Sequence, residues 1–249
     1  MNYHIMTLFP EFIESATEHS IIKRAKENNI ISVESYNIRD FSENKHKKVD
    51  DYPFGGGAGM VMSVQPIVDC HEHIINLNKL TKENTKTVFM SPKGTTLTQN
   101  KAQELAKYEN LIILCGHYEG VDQRAIDMIV DEEISIGDYI LTGGELGALV
   151  IIDATARLIE GVLNKEESHM DESFSNNLLE YPQYTRPREY KSLEVPEVLL
   201  NGNHKLIEAW RFEQSLEITK ERRNDLFKQL KVTELNKSEK KIYEKVLKK

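Results

Sequence analysis

Two adjacent carboxylates, Asp171 and Glu172, stand in the polar stretch SHMDESFSNN, residues 168–177, beside His169 and Ser173. A carboxylate on a loop can serve as a general base when the fold brings it within hydrogen-bond reach of the proton to be removed. The same stretch has no helical or strand period, and its polar composition equally suits a solvated, mobile linker. The residues by themselves leave both readings open.

Three glycine-bearing segments form a second set of candidates. SPKG (residues 91–94) follows the strand-like KTVFM, CGHYEG (115–120) follows NLIIL, and IGDYILTGGELGA (136–148) follows DEEIS. In an open parallel sheet, ligands bind outside the carboxyl ends of the strands, so three such loops could share one pocket. Gly116, Gly120, Gly143 and Gly144 would let backbone groups approach a ligand closely. IGDYIL offers apolar side chains and main-chain groups with little net charge, which suits a neutral, adenine-like face better than a triphosphate. Tight turns after strands are the plainer reading of each loop taken singly. FGGGAGM (54–60) fails the G-x-G-x-x-G pattern, because Met60 stands where the last glycine belongs and a polar loop precedes it. No Walker A sequence and no G-x-S-x-G elbow occur. The histidines of DCHEH (69–73) are two apart, on different faces of a helix, and read as solvated surface rather than a metal site.

The elements that must position these loops alternate. YHIMTL, IISVESYNI, KTVFMS, NLIILCG and EISIG read as strands. EFIESATEHSIIKRAKENN, VQPIVDCHEHIINLN, TQNKAQELAKY, VDQRAIDMIV and ELGALVIIDATARLIEGV read as helices. This alternation implies an α/β fold with a mostly parallel sheet covered on both faces. Composition shifts after Val162 to a polar segment and then to amphipathic helices. The expected organisation is therefore a first domain over 1–161, a flexible linker over 162–177 and a smaller all-helical domain over 178–249.

The bulk properties restrict the class. The chain has 249 residues, 39% of them apolar and 29% charged, as expected of an ordinary globular protein with a core. Its longest apolar runs, LIILC and LGALVII, are far too short to span a bilayer. The N-terminal stretch MNYHIMTLFPEF lacks the basic and apolar regions of a signal peptide. Cys70 and Cys115, the two cysteines, form no CxxC pair, which fits a reducing cytoplasmic setting. Net charge is −8, yet from Tyr181 onward 16 Lys and Arg face 11 Asp and Glu, while the first 180 residues carry 16 against 29. An acidic front and a basic tail can coexist with a polyanionic ligand that touches only part of the surface, although solvated helix faces would give the same balance.

Seven stretches together carry a more specific signal: LFPEF, RDF, KVDDYPFGGGAGM, CGHYEG, ISIGDYILTGGEL, DESFSNNLLEYPQYTRPREY and VPEVLLNGNH. In this order and spacing the chain resembles the bacterial tRNA (guanine-N1)-methyltransferase (TrmD) family over nearly its whole length. The resemblance implies a SPOUT-type fold with a deep trefoil knot, which periodicity could not reveal because knots break the usual connection rules. It also implies a cytoplasmic homodimer whose active sites are built from both subunits, S-adenosylmethionine as methyl donor, a requirement for Mg²⁺ with no sequence signature of its site, and tRNA as substrate. The reaction so implied is methylation of N1 of the guanosine 3′ to the anticodon, tRNA position 37.

Residue roles follow from the same resemblance. The donor is expected at Ser91, Pro92, Gly94, Gly116, Tyr118, Glu119, Ile136, Gly137, Asp138, Tyr139, Ile140, Leu141, Gly143 and Gly144. Asp50 matches a position that contacts the guanine. Lys45, Lys47, Lys48, Arg186 and Arg188 are candidate phosphate contacts, which position RNA without reading it. Arg157 matches the family arginine that meets charge developing on O6. The family's base is an aspartate just before Ser-Phe, where this chain has Glu172, with Asp171 one step earlier. Other departures are Lys93 for glutamine in SPQG, Gly147 for proline in GGELPA, where a looser turn is expected, and Glu160 for proline in RLIPGV.

Overall fold

The structure, a computed structural model, describes residues 1–163, 173–174 and 177–248. Asp171, Glu172 and His169, with most of the expected linker over 162–177, lie outside the described residues. The chain divides into two compact units, Met1–Asn164 and Lys165–Lys249.

The first unit runs β1 (Asn2–Thr7), α1 (Pro10–Thr17), α2 (Ser20–Glu27), β2 (Ser32–Asn37), β3 (Asp50–Asp51), β4 (Val61–Met62), α3 (Val64–Asn78), β5 (Thr85–Thr96), α4 (Gln99–Leu105), β6 (Asn110–Cys115), α5 (Gln123–Ile129), β7 (Glu132–Ser135) and α6 (Glu145–Ala156). The main sheet has the order β2-β1-β6-β5-β7, and every pairing in it is parallel. All six residues of β6 are buried, which is why NLIILC is a continuous apolar run rather than an alternating one. Strand periodicity divides its side chains between two cores. Leu111, Ile113 and Cys115 join Tyr3, Ile5, Val88 and Ile134 beneath residues of α1, α2, α4 and α6. Ile112 and Leu114 join Met6 and Phe89 beneath α3 and α5. Full burial of each such side chain contributes about 1.5–3 kcal/mol, so the two apolar layers hold the sheet and its connecting segments in register.

Two elements differ from the periodicity reading. The helical pattern after Pro10 is split, because His19 is extended (φ −132°, ψ 149°) and Ser20 restarts the helix. The Thr17 hydroxyl bonds back to the Ile13 carbonyl at 3.0 Å, a local alternative to propagation. SPKG is not a loop between elements but a bulge inside β5, where pairing with β7 shifts register between Met90 and Thr95.

The second unit contains a short antiparallel hairpin, β8 (Glu189–Tyr190) and β9 (Leu193–Glu194), and the helices α7 (His204–Arg222), α8 (Asn224–Gln229) and α9 (Lys237–Lys248). The Asn203 side chain caps α7. Leu216, Phe227 and Val246 form its small core, with Phe227 and Tyr243 stacked at 5.4 Å. No helix among the described residues is long and apolar enough to cross a membrane.

Candidate active site

Parallel pairing sets the carboxyl ends of β1, β6, β5 and β7 along one edge of the sheet. The segments that follow β6 and β7, with the β5 bulge, enclose a cavity of about 310 Å³. Ser91 and Pro92 line it from the bulge, and Gly116, Tyr118 and Glu119 from the segment after β6. Ile136, Gly137, Tyr139, Ile140, Leu141, Gly143 and Gly144 line it from the segment between β7 and α6. Gly94 and Asp138, expected with them, are not part of the lining. Gly94 lies so close to the backbone of Glu133 and Ile134 that a Cβ there would collide with it, so this glycine lets the bulged strand return to β7. Asp138 is exposed.

Close approach also explains Gly144. Its N–H donates to the Gly116 carbonyl at 3.0 Å, and a Cβ would stand 2.7 Å from the Cys115 Cα. The two longer segments are thereby sewn together at the cavity floor. Cys115 itself is fully buried, and burial, with Glu145 nearby, pushes its thiol well above the ordinary range, which makes it an inert packing group. Gly147 lies in the first turn of α6 rather than in a loosened loop, and the Met90 Cε stands 2.7 Å from where its Cβ would be.

Sequence reasoning missed several lining residues. Ile134 and Ser135 end β7, and Phe89 and Met90 lead into the β5 bulge; their position in the strands was the available signal. His117 was also passed over. Its Nε2 lies 2.8 Å from both carboxylate oxygens of Glu145, which begins α6 and is 6% exposed. The Thr7 hydroxyl, at the end of β1, donates to the same carboxylate at 2.6 Å. The Phe9 ring meets the imidazole edge-on at 5.1 Å. No spacing rule reveals this cluster, because its members come from three strand–helix junctions.

Asp50 lies on the β3–β4 hairpin, paired with Met62. That hairpin is bonded to the cavity wall: the Glu119 N–H donates to the Met60 carbonyl at 3.0 Å, and the Met62 N–H to the Gly120 carbonyl at 2.9 Å. The GGGAG turn between them packs Gly59, at φ +82°, directly under the Glu119 side chain, which a Cβ there would have to displace. Lys45, Lys47 and Lys48 are exposed; Lys47 reaches Asp40 at 2.6 Å and Lys48 reaches Asp51 at 3.7 Å. Arg157 is the half-buried C-cap of α6. Arg186 and Arg188 are exposed in the second unit. There the Arg211 guanidinium lies 4.7 Å over the Tyr181 ring, and Tyr184 and Trp210 meet at 6.3 Å.

The cavity's character is clear from its lining. Phe89, Met90, Ile134, Ile136, Ile140 and Leu141 supply apolar surface, backbone groups of the glycines supply polarity, and among the described residues Glu119 is the one carboxylate in the lining. Its volume falls at the lower end of the roughly 300–1,000 Å³ usual for small-molecule sites. No group of three or more metal-ligating side chains occurs among the described residues.

Residues 1–229 match the protein-family model described as tRNA (Guanine-1)-methyltransferase TrmD. The chain belongs to this family. It is 61% identical over 228 residues to the tRNA (guanine-N(1)-)-methyltransferase of Clostridioides difficile (strain 630), a match covering 92% of this chain and 98% of that one. Identity is again 61%, over 232 residues, with the protein of the same description from Alkaliphilus metalliredigens (strain QYMF), covering 93% and 94%. With that from Ruminiclostridium cellulolyticum it is 56% over 230 residues, covering 92% and 97%. The TrmD match includes all of the first unit and continues through α8; α9 lies beyond it.

Proposed function

We propose that the protein transfers a methyl group from S-adenosylmethionine to N1 of the guanosine at tRNA position 37. The observation that carries this reading is the convergence of three segments on one apolar, glycine-walled cavity in a TrmD-family chain. The sulfonium of the donor supplies an electrophilic methyl group. The adenine face is held by Ile136, Tyr139, Ile140 and Leu141, with Ser91, Pro92 and the glycine backbone around it. Guanine N1 carries a proton at neutral pH, so a carboxylate must accept that proton as N1 attacks. Glu172 takes this role, with Asp171 as its rival. Arg157 meets the negative charge that develops on O6. Asp50 contacts the guanine, and a base stacked in the anticodon loop is turned out to reach it. A single carboxylate such as Glu119 suits Mg²⁺, which keeps several waters and takes one or two protein carboxylates.

The knotted donor-binding domain is assigned to residues 1–161 and tRNA binding to 178–249, joined by the linker. The exposed Arg186 and Arg188, and the paired aromatic and cationic side chains of Tyr181, Tyr184, Trp210 and Arg211 in the same unit, support RNA contact there. Two buried thiols, Cys70 and Cys115, fit a reducing cytoplasm. Methyl transfer to unmodified tRNA transcripts tests the whole reading. Transcripts with guanosine at position 37 should be labelled and those with adenosine there should not. Equal labelling of both would sink the position-specific assignment.

The working form is a homodimer. Phe9 and Phe12 at the start of α1, and Leu146 and Val150 one turn apart on α6, are exposed although α1 and α6 pack together. α6 is apolar on nearly every face, as expected of a helix covered on all sides. A second copy is the proposed cover. Val150→Lys should convert the dimer to a monomer in light scattering and lower methyl transfer at least about tenfold, since completing the site would need association. A monomeric unaltered protein with full activity would overturn the dimer assignment.

A further inference from the structure

His117 borders the cavity, yet its imidazole is turned into a clamp whose parts come from elsewhere in the fold. The Glu145 carboxylate, at the N-terminus of a twelve-residue helix, grips Nε2 with both oxygens. Thr7 completes the carboxylate's shell, and Phe9 both donates its N–H to the Thr7 hydroxyl at 2.9 Å and packs its ring on the imidazole. Gly143 leaves the room, since any side chain at that position would collide with the imidazole. The peptide N–H of His117 points to the Met62 sulfur at 3.2 Å. Such over-determination is needed when a neighbouring residue is held in an unfavourable conformation. That residue is Tyr118. It has φ +58°, the left-handed region that bulky side chains rarely adopt, within a turn closed by the Gly120 N–H on the His117 carbonyl at 3.2 Å. Tyr118 and Glu119, the residues so presented, both line the cavity.

We infer that His117 is a positioning residue for the methyl-donor site. Clamped by Glu145 and Thr7, it holds the 117–120 turn in the strained form that sets the Tyr118–Glu119 wall. The inference rests on the cavity being the S-adenosylmethionine site. It goes beyond that reading in giving Glu145 and Thr7, which are not among the residues lining the cavity, control of donor affinity through His117.

The test uses the full chain carrying His117→Ala, and separately His117→Ala with Glu145→Gln, which avoids leaving a buried carboxylate without its partner. Hydrogen exchange of the free protein should accelerate about tenfold at the Glu119 and Gly120 amides and remain unchanged in α3 and β6. S-adenosylmethionine should bind about tenfold more weakly by calorimetry, with kcat at saturating donor reduced no more than about threefold. Imidazole added to His117→Ala should restore much of the affinity, which a general loss of stability would not permit. An unaltered chain that binds no S-adenosylmethionine would remove the cofactor reading and this inference with it. Unchanged exchange or unchanged donor affinity in the variants of a binding-competent parent would overturn the clamp alone.

Discussion

Glu172→Gln is expected to lower the single-turnover rate of methyl transfer at least about a hundredfold while leaving S-adenosylmethionine affinity within about twofold. The amide has nearly the shape of the carboxylate but cannot accept the N1 proton, so the loss falls on chemistry rather than on binding. With Glu172 proposed as the base, Asp171→Asn should cost only a few-fold. The choice matters since Glu172 replaces the aspartate of the family pattern. Glutamate reaches about 1.5 Å further than aspartate, and a misplacement near 1 Å can cost on the order of a hundredfold. Rapid-quench measurements with both variants decide the matter, and a severe loss in Asp171→Asn beside a mild one in Glu172→Gln would transfer the role to Asp171.

Arg157→Ala is expected to reduce kcat by about 10²–10³, the usual effect of removing a donor aimed at developing charge, and to weaken donor binding far less. Its place at the C-cap of α6 gives it a second role, because a cation at a helix C-terminus stabilises by roughly 0.3–1 kcal/mol. The two roles separate by magnitude. A change confined to the melting temperature, with kcat retained, would remove the O6 assignment. Arg157→Lys should keep the capping contribution but recover only part of the rate, since an ammonium lacks the planar fork of the guanidinium.

The physical reach of sequence reasoning is visible in particular residues. The β6 run NLIILC and the glycines after it were legible, because burial on both faces and close backbone approach each leave a compositional mark. The split between α1 and α2 was not, since the periodicity continues across His19 while the backbone does not. Gly94 also lets β5 return to β7, a requirement that exists only once two distant strands are paired. His117, Glu145 and Thr7 escaped notice for the same reason: a hydrogen-bonded cluster made across the sheet edge has no period and no spacing. Asp50 and the GGGAG turn were legible through resemblance alone, and their bonding to the Glu119 segment required the fold. The second unit was expected to be helical, and its helices stand in the segments that looked amphipathic, with the small β8–β9 hairpin added.

The order of strands in the sheet has a consequence for how the chain is made. β1 lies between β2 and β6, and its register on β6 pairs Asn2 with Asn110, side chains 108 residues apart that are hydrogen-bonded at 2.9 Å. During synthesis at about 5–20 residues per second, β1 and β2 therefore wait several seconds or more with the backbone edge of β1 that faces β6 unpaired. β5 likewise cannot join them until β6 arrives to fill the gap. Closure of the sheet is a late, long-range event, the kind of topology that folds slowly and exposes hydrophobic edges on the way. The nascent chain is thus most vulnerable to aggregation before Cys115 has emerged from the ribosome, and a chaperone that shields β1 would act in that interval.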